Sequence, residues 1–305
     1  MLRVVATGTM SEISEVESGA QITQRSGSNL ALSFIVLEKP RRKAMTTLYA
    51  FCREVDDVAD EDSSPLESRR IALQEWREDV RKACEGGTPR KTLVCELQPV
   101  IEKYGLQFEH FDELIRGLES DLEQDRIDSW EDLDLYCYRV ASAVGLLSVE
   151  VFGYRNAASQ DYMAELGKSL QYTNILRDIG NDAERGRIYL PREAMDKFGV
   201  DPKSILSGRY STAFHNLAAE MSVRARRHYR KTAELLPDVD RRSMIAGECM
   251  AAVYWQLLRA MEKTRFRRVL DPAPIKLSKL TKLSIMLGVW GRAWLGSTSP
   301  NYARD

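Results

Sequence analysis

KSLQYTNILRDIGNDAERGRIYLP (168–191) is the stretch from which the rest of the chain can be read. Gln171, Asn174, Asp178, Asp182 and Arg185 follow one another at intervals of 3, 4, 4 and 3 residues, so they fall on one line of a helix. Leu170, Ile175, Leu176 and Ile179 occupy its other sides. A helix that is apolar around most of its surface is buried. A buried amide, two carboxylates and a guanidinium in one line need partners there. Hard cations and a polyphosphate are the economical ones. Mg²⁺ takes oxygen ligands and is typically held by one or two carboxylates together with substrate phosphates.

A second stretch repeats the arrangement. In TTLYAFCREVDDVADE (46–61), Leu48, Phe51, Val55 and Val58 form an apolar stripe. Tyr49, Arg53, Asp56 and Asp60 form a polar one beside it, and Asp57 with Glu61 makes a further acidic pair. Like charges one turn apart destabilise an isolated helix by a few tenths of a kcal/mol. A cation between them reverses the sign. One acidic pair of this kind is usually a solvated helix face. Two, each on an otherwise apolar helix with arginine and amide or phenol groups in register, point to a Mg²⁺–diphosphate site shared by two helices.

Helical periodicity extends outward from these segments. Helices are expected near 28–37, 40–61, 65–85, 92–104, 108–124, 130–152, 160–184, 211–235, 240–266 and 276–295. Pro191 opens a short one that Gly199 closes, and Ser129 with Asp132 reads as a capping box. No alternating strand pattern of useful length and no repeat is present. The fold class is all-α: a single-domain helical bundle with long core helices. Residues 1–25 read as a flexible leader.

Composition sets the outer bounds. Among 305 residues, 44 Lys and Arg stand against 45 Asp and Glu, a net charge of −1. That balance argues against a large nucleic-acid-binding surface. The five cysteines are scattered and unpaired in sequence, which fits a reducing compartment rather than a disulfide or zinc framework. The three histidines show no metal-ligand spacing. The N-terminus lacks the apolar core of a signal peptide, and no uncharged apolar run reaches the roughly 18 residues that span a bilayer. The expected location is the cytoplasm, with peripheral contact at the inner face of the membrane.

YAFCREVDDVAD (49–60), LYCYRVASAVG (135–145), QYTNILRDIGNDAERGRIYLP (171–191) and AAVYWQLLRAME (251–262) together resemble the squalene/phytoene synthase family of head-to-head prenyl transferases. Within it the chain is most similar to the bacterial members that form presqualene diphosphate in the hopanoid-type squalene pathway. The resemblance spans 26–287 and marks that stretch as the catalytic domain, with 288–305 as a C-terminal tail. It implies the isoprenoid synthase fold, with the two aspartate motifs facing one another across a central cavity. It implies catalytic roles for Asp56, Asp60, Asp178, Asp182 and Tyr136. Mg²⁺ would be held by Asp56, Asp60, Asn174, Asp178 and Asp182. Prenyl diphosphate substrates would be bound by Ser28, Tyr49, Arg53, Gln171, Asn174, Arg177, Arg187 and Tyr254. Two departures stand out. SGSNLALSF (26–34) replaces a serine-aromatic block, leaving Ser28 and Asn29 as stand-ins, and Pro274 lies where relatives often carry a basic residue, with Lys276 or Arg268 nearby.

These residues suit the ionisation of an allylic diphosphate and capture of the cation by a second prenyl chain in a water-poor cavity. The expected reaction joins two farnesyl diphosphates into presqualene diphosphate, which downstream squalene-forming enzymes consume. A phytoene synthase acting on longer substrates, a full squalene synthase using NADPH, and a non-catalytic helical assembly factor remain as alternatives. Arg224, Arg226, Arg227 and Arg230 read as a solvated helix edge. In IKLSKLTKLSIMLGVWGRAWLG (275–296), three lysines and two tryptophans on an amphipathic pattern read as a membrane-surface helix. A helix packed on the core with solvated lysines is the alternative.

Overall fold

A computed structural model describes residues 33–123, 127–297, 300 and 302–303. The helices end where local chemistry ends them. Helix α1 (Lys39–Asp60) has Pro40 in its first turn, where a missing N–H costs nothing. Helices α2 (Leu66–Cys84), α3 (Thr92–Tyr104) and α4 (Phe108–Glu123) follow. Gly105 stops α3 in a left-handed conformation with φ of 65°. Ser129 and Asp132 form the expected capping box at the start of α5 (Trp130–Cys137). Helix α5 continues through one π-helical turn (Tyr138–Ser142) into α6 (Ala143–Phe152). Then come α7 (Ala158–Glu184), the short α8 (Arg192–Phe198) and α9 (Pro202–Leu206), α10 (Thr212–Leu235), α11 (Ile245–Lys263) and α12 (Lys279–Trp294). No β-strand occurs among the described residues.

The periodicity locates most of these elements to within a few residues. Of the expected helix 28–37, residues 28–32 lie outside the described residues; Ser33 is helical and leads into a 3₁₀ turn, Phe34–Val36. Helix α11 differs for an identifiable reason. It begins at Ile245 rather than near 240. The Asp240 carboxylate is used elsewhere, accepting the backbone N–H groups of Arg155 (2.8 Å) and Asn156 (2.9 Å) and the Ser159 hydroxyl (2.8 Å) at the start of α7. Helix α12 runs across the position where the catalytic domain is expected to give way to a tail. Beyond it Tyr302 is fully buried, and its hydroxyl donates to Glu248 at 2.6 Å.

Helix α7 is the axis. It packs along α10 and against α6, the π turn and α11. Buried hydroxyl pairs tie α7 to α10, Ser169 with Thr232 and Thr173 with Tyr229, both at 3.1 Å. The rod Trp130–Phe152 stands between this half and the α1–α4 half, touching α1 and α4 on one side and α7 on the other. By length and hydropathy it could cross a membrane, but half of that window is buried, and Arg139 within it pairs with Glu113 at 3.2 Å. It is a core helix. Two glycines let the rod approach α7 closely. A Cβ at Gly167 would lie 2.7 Å from the Ala141 carbonyl, and one at Gly145 would lie 2.5 Å from the Met163 carbonyl. The Ser142 hydroxyl donates across the same seam to the Ala164 carbonyl at 2.5 Å.

The arginine cluster on α10 is only in part a solvated edge: Arg227 and Arg230 are exposed, but Arg224 and Arg226 are not free. Arg224 stacks 3.8 Å above the Trp130 ring, and Arg226 grips Glu262 through two nitrogens at 2.7 Å while lying over Trp255. A guanidinium on an aromatic face combines charge with desolvated packing, so these two residues fasten α10 to α5 and α11.

Candidate active site

The tertiary fold sets the two polar stripes against each other. Helix α7 has its apolar residues Leu170, Ile175, Leu176 and Ile179 buried by its neighbours. Its line of Gln171, Asn174, Asp178 and Asp182 is therefore left facing the interior space between the two halves. Helix α1 ends with Asp56 and Asp60 on the opposite wall. The loop after α7 closes the gap: Arg187 donates to Asp60 Oδ1 at 2.6 Å, and Arg185 lies 2.9 Å from Asp60 Oδ2. Burial would push Asp60 up, but the guanidiniums of Arg187 and Arg185 outweigh it and hold the carboxyl below its ordinary value.

Two further arginines act within their own helices. Arg53 contacts Asp56 at 3.0 Å and Asp57 at 2.6 Å. Arg177 forms a two-pronged pair with Asp178 at 2.8 and 2.5 Å and lies 6.0 Å from the Tyr254 ring centre. Four guanidiniums thus supply part of the positive charge that the acidic stripes require. Six carboxylates (Asp56, Asp57, Asp60, Asp121, Asp178, Asp182) stand around those four. The excess of negative charge shows in the acidities. Burial and then the neighbouring Asp178 push Asp182 up to about 7, and burial and then Asp60 push Asp56 up to about 6. Among the described residues no hydrogen bond or ion pair reaches the Asp182 carboxylate.

Asp121, on α4, belongs to the same cluster and is absent from the two sequence motifs. The Tyr136 hydroxyl donates to it at 3.1 Å. Tyr136 stacks on Tyr189 with ring centres 5.2 Å apart. Burial raises Asp121 to about 7, against the hydrogen bonds from Tyr189 and Tyr136. These groups with Arg187 line a recess of about 90 Å³. A signal for it exists in the sequence: Asp121 and Asp125 form a third acidic pair four residues apart, in SDLEQD (120–125). Asp125 lies outside the described residues.

A second cavity of about 170 Å³ opens between the rod, α7 and α11. Its walls are apolar (Val140, Val144, Phe152, Leu166, Leu170, Met250), and Gln171, Asn174 and Tyr254 supply its few polar groups. Asn174 donates to Gln171 at 3.3 Å, while its Oδ1 is buried with no hydrogen-bond partner. A buried acceptor left unsatisfied costs on the order of 1–3 kcal/mol, and a hard cation or its bound water would satisfy it. Asn174, Asp178 and Asp182 present oxygens one turn apart, the donor set that Mg²⁺ takes. Among the described residues, no three His, Cys, Asp or Glu side chains are gathered closely enough to hold a metal alone. A metal here would complete its shell with water or phosphate oxygens.

The sequence-derived site residues fall as follows. Asp56, Asp60, Asp178, Asp182, Arg53, Arg177, Arg187 and Tyr136 converge around the charged cluster. Gln171, Asn174 and Tyr254 line the apolar cavity. Tyr49 is half-buried and packs edge-on against Phe34, with ring centres 6.2 Å apart. Ser28 and its stretch SGSNLALSF lie outside the described residues up to position 32. The cysteines beside the motifs are spectators: burial raises the Cys52 thiol to about 12 and holds the Cys137 thiol well above its ordinary value.

An all-α bundle with two aspartate-bearing helices facing each other beside an apolar cavity is the arrangement that the resemblance of the sequence motifs implies. The profile of the squalene/phytoene synthase family matches residues 23–281, and the chain belongs to that family. It is 37% identical over 265 residues to the presqualene diphosphate synthase of Rhodopseudomonas palustris, covering 86% of this chain and 92% of the relative. It is 36% identical over 271 residues to that of Zymomonas mobilis, covering 88% and 90%. Among solved structures, a dehydrosqualene synthase in complex with ligand superposes with a TM-score of 0.81 at 26% identity, covering 91% of this chain and 95% of that one. The squalene synthase of Alicyclobacillus acidocaldarius does so with 0.73 at 26% identity, covering 81% and 94%. The protein is a prenyl transferase with the isoprenoid synthase fold, of the type that condenses prenyl diphosphates head to head.

Proposed function

We propose that the protein joins two farnesyl diphosphates in a Mg²⁺-dependent reaction and releases presqualene diphosphate and diphosphate. The observation that carries this reading is the pair of carboxylate lines meeting around Arg187 at the polar end of an apolar cavity. Asp56, Asp60, Asn174, Asp178 and Asp182 would hold Mg²⁺, which neutralises charge on the departing diphosphate. Arg53, Arg177, Arg185 and Arg187 can turn from their carboxylate partners to phosphate oxygens. They then stabilise the charge that develops when the C–O bond breaks. The apolar walls keep water from the allylic cation, and the Tyr254 ring offers it a negative face.

Cyclopropane closure forms two carbon–carbon bonds and loses one proton. The recess at Tyr136 supplies an acceptor in Asp121, whose carboxyl is raised towards neutrality, where a general base works best. The same reading places the enzyme in the cytoplasm, with squalene-forming enzymes consuming its product. Purified protein should be incubated with Mg²⁺ and farnesyl or geranylgeranyl diphosphate, with and without NADPH, and the products weighed by mass spectrometry. A C30 diphosphate unaffected by NADPH is expected. Squalene formed with NADPH, a C40 product, or no condensation would each overturn the proposal.

A further inference from the structure

Helix α12 presents two unlike sides. Met286 and Val289 are buried against the core, and the helix lies along α11. On the outward side Leu280, Leu283, Leu287, Trp290 and Trp294 recur at 3, 4, 3 and 4 residues, one unbroken apolar stripe. All five are exposed, Leu280 by 80% and Trp294 by 73%, and Leu295 extends the stripe at 87%. A Cβ at Gly288 or Gly291 would meet nothing within 4 Å, so the face is uncovered along its length. The Trp290 and Trp294 rings lie 5.8 Å apart at its C-terminal end. Of the residues expected on a membrane face, Ile275 and Val289 instead turn inward.

Charge selects the occupant. From 272 to 297 the chain carries Lys276, Lys279, Lys282 and Arg292 and no acidic residue. Lys276 and Lys279 lie at the N-terminal end of the stripe, and Lys279 is exposed. A second copy docked through this face would offer these cations no acidic partner. An anionic lipid surface attracts them, takes up leucines below the headgroups, and accepts tryptophans at the interface.

We infer that the outward stripe of α12 is a docking face for an anionic membrane surface, with Lys276 and Lys279 at the headgroups. Lys282 is less exposed than either. It is partly buried and close enough to Arg177 for burial and like-charge repulsion to lower it. One helix therefore borders both the lipid and the diphosphate end of the cavity. If the proposed reaction is right, this places the cavity beside the phase in which prenyl chains reside. The docking face itself does not depend on that reaction.

The test uses the full chain without substrate. Vesicles of phosphatidylcholine alone, and of phosphatidylcholine with phosphatidylglycerol, are sedimented with wild type, Leu283→Ser/Leu287→Ser and Lys276→Gln/Lys279→Gln. Helical circular dichroism and activity on detergent-dispersed substrate serve as controls for folding. Wild type should pellet with the anionic vesicles at low salt and be released at high salt. The leucine variant should lose about tenfold or more of its partition coefficient, since two apolar side chains no longer enter the interface. The lysine variant should lose about 30-fold, two charges at roughly 1 kcal/mol each. Equal pelleting of wild type and the leucine variant, or of neither, overturns the proposal. So does a wild-type dimer in sedimentation velocity that the leucine variant converts to monomer without any lipid binding.

Discussion

Replacing Asp182 by Asn should make the metal-free protein more stable while abolishing its turnover. The carboxyl is raised from 3.8 to about 7 by burial and by Asp178. A tenfold change in proton affinity corresponds to about 1.4 kcal/mol, so holding this carboxylate ionised in the fold costs up to about 4 kcal/mol. Relaxation around the site reduces that, and a gain of about 2–4 kcal/mol is expected from the neutral amide. With about 2.1 cal/mol/K of unfolding entropy per residue over 305 residues, the melting temperature rises by about 3–6 °C. The sign with pH follows from linkage. Between the unfolded value near 4 and the folded value near 7 the folded state binds the proton more tightly, so wild-type stability falls as pH rises through that window. The advantage of the variant is full at about pH 8, roughly two-fifths of that at pH 5, and small near pH 4. Asp178→Asn is the contrast. It also abolishes turnover, but it leaves Arg177, only 19% exposed, without its two-pronged carboxylate, and it should destabilise by about 2 kcal/mol. Thermal unfolding followed by circular dichroism in EDTA at pH 8 and pH 5 reads both. A loss of stability in Asp182→Asn at pH 8, or a gain that is the same at the two pH values, would refute the electrostatic account of the site.

Asp121→Asn should lower kcat by about 100-fold, the usual contribution of a positioned general base. Tyr136→Phe should move the acid limb of the kcat/KM profile to higher pH, because the lost hydrogen bond is one that holds Asp121 down; an unmoved limb would remove Asp121 from the proton path. Gly167→Ala should lower the melting temperature by about 2–5 °C, since its Cβ would sit 2.7 Å from the Ala141 carbonyl and force α7 away from the rod, an overpacking cost of about 1–3 kcal/mol. A neutral effect would mean the seam is looser than the structure shows.

Much of this molecule can be read along the chain, because an amphipathic helix writes its buried face at intervals of 3 and 4 residues. That periodicity locates α1 through α7 and α10 to α12, and it puts Asp56 with Asp60 and Asp178 with Asp182 on single faces. The same signal contains Asp121, but the strong apolar face of α4 obscures it. Periodicity is a property of one helix, however, and says which residues share a face but not what that face meets. Only the tertiary structure brings Arg187 to Asp60 across 127 residues of sequence, lays Arg224 and Arg226 on tryptophans, and tucks Tyr302 against Glu248. It also decides which side of α12 the core covers. A charge on a helix finds its partner through the packing of helices distant in sequence. The pairing of carboxylates with guanidiniums, and the leucine and tryptophan stripe left bare, therefore emerge only once the bundle is assembled.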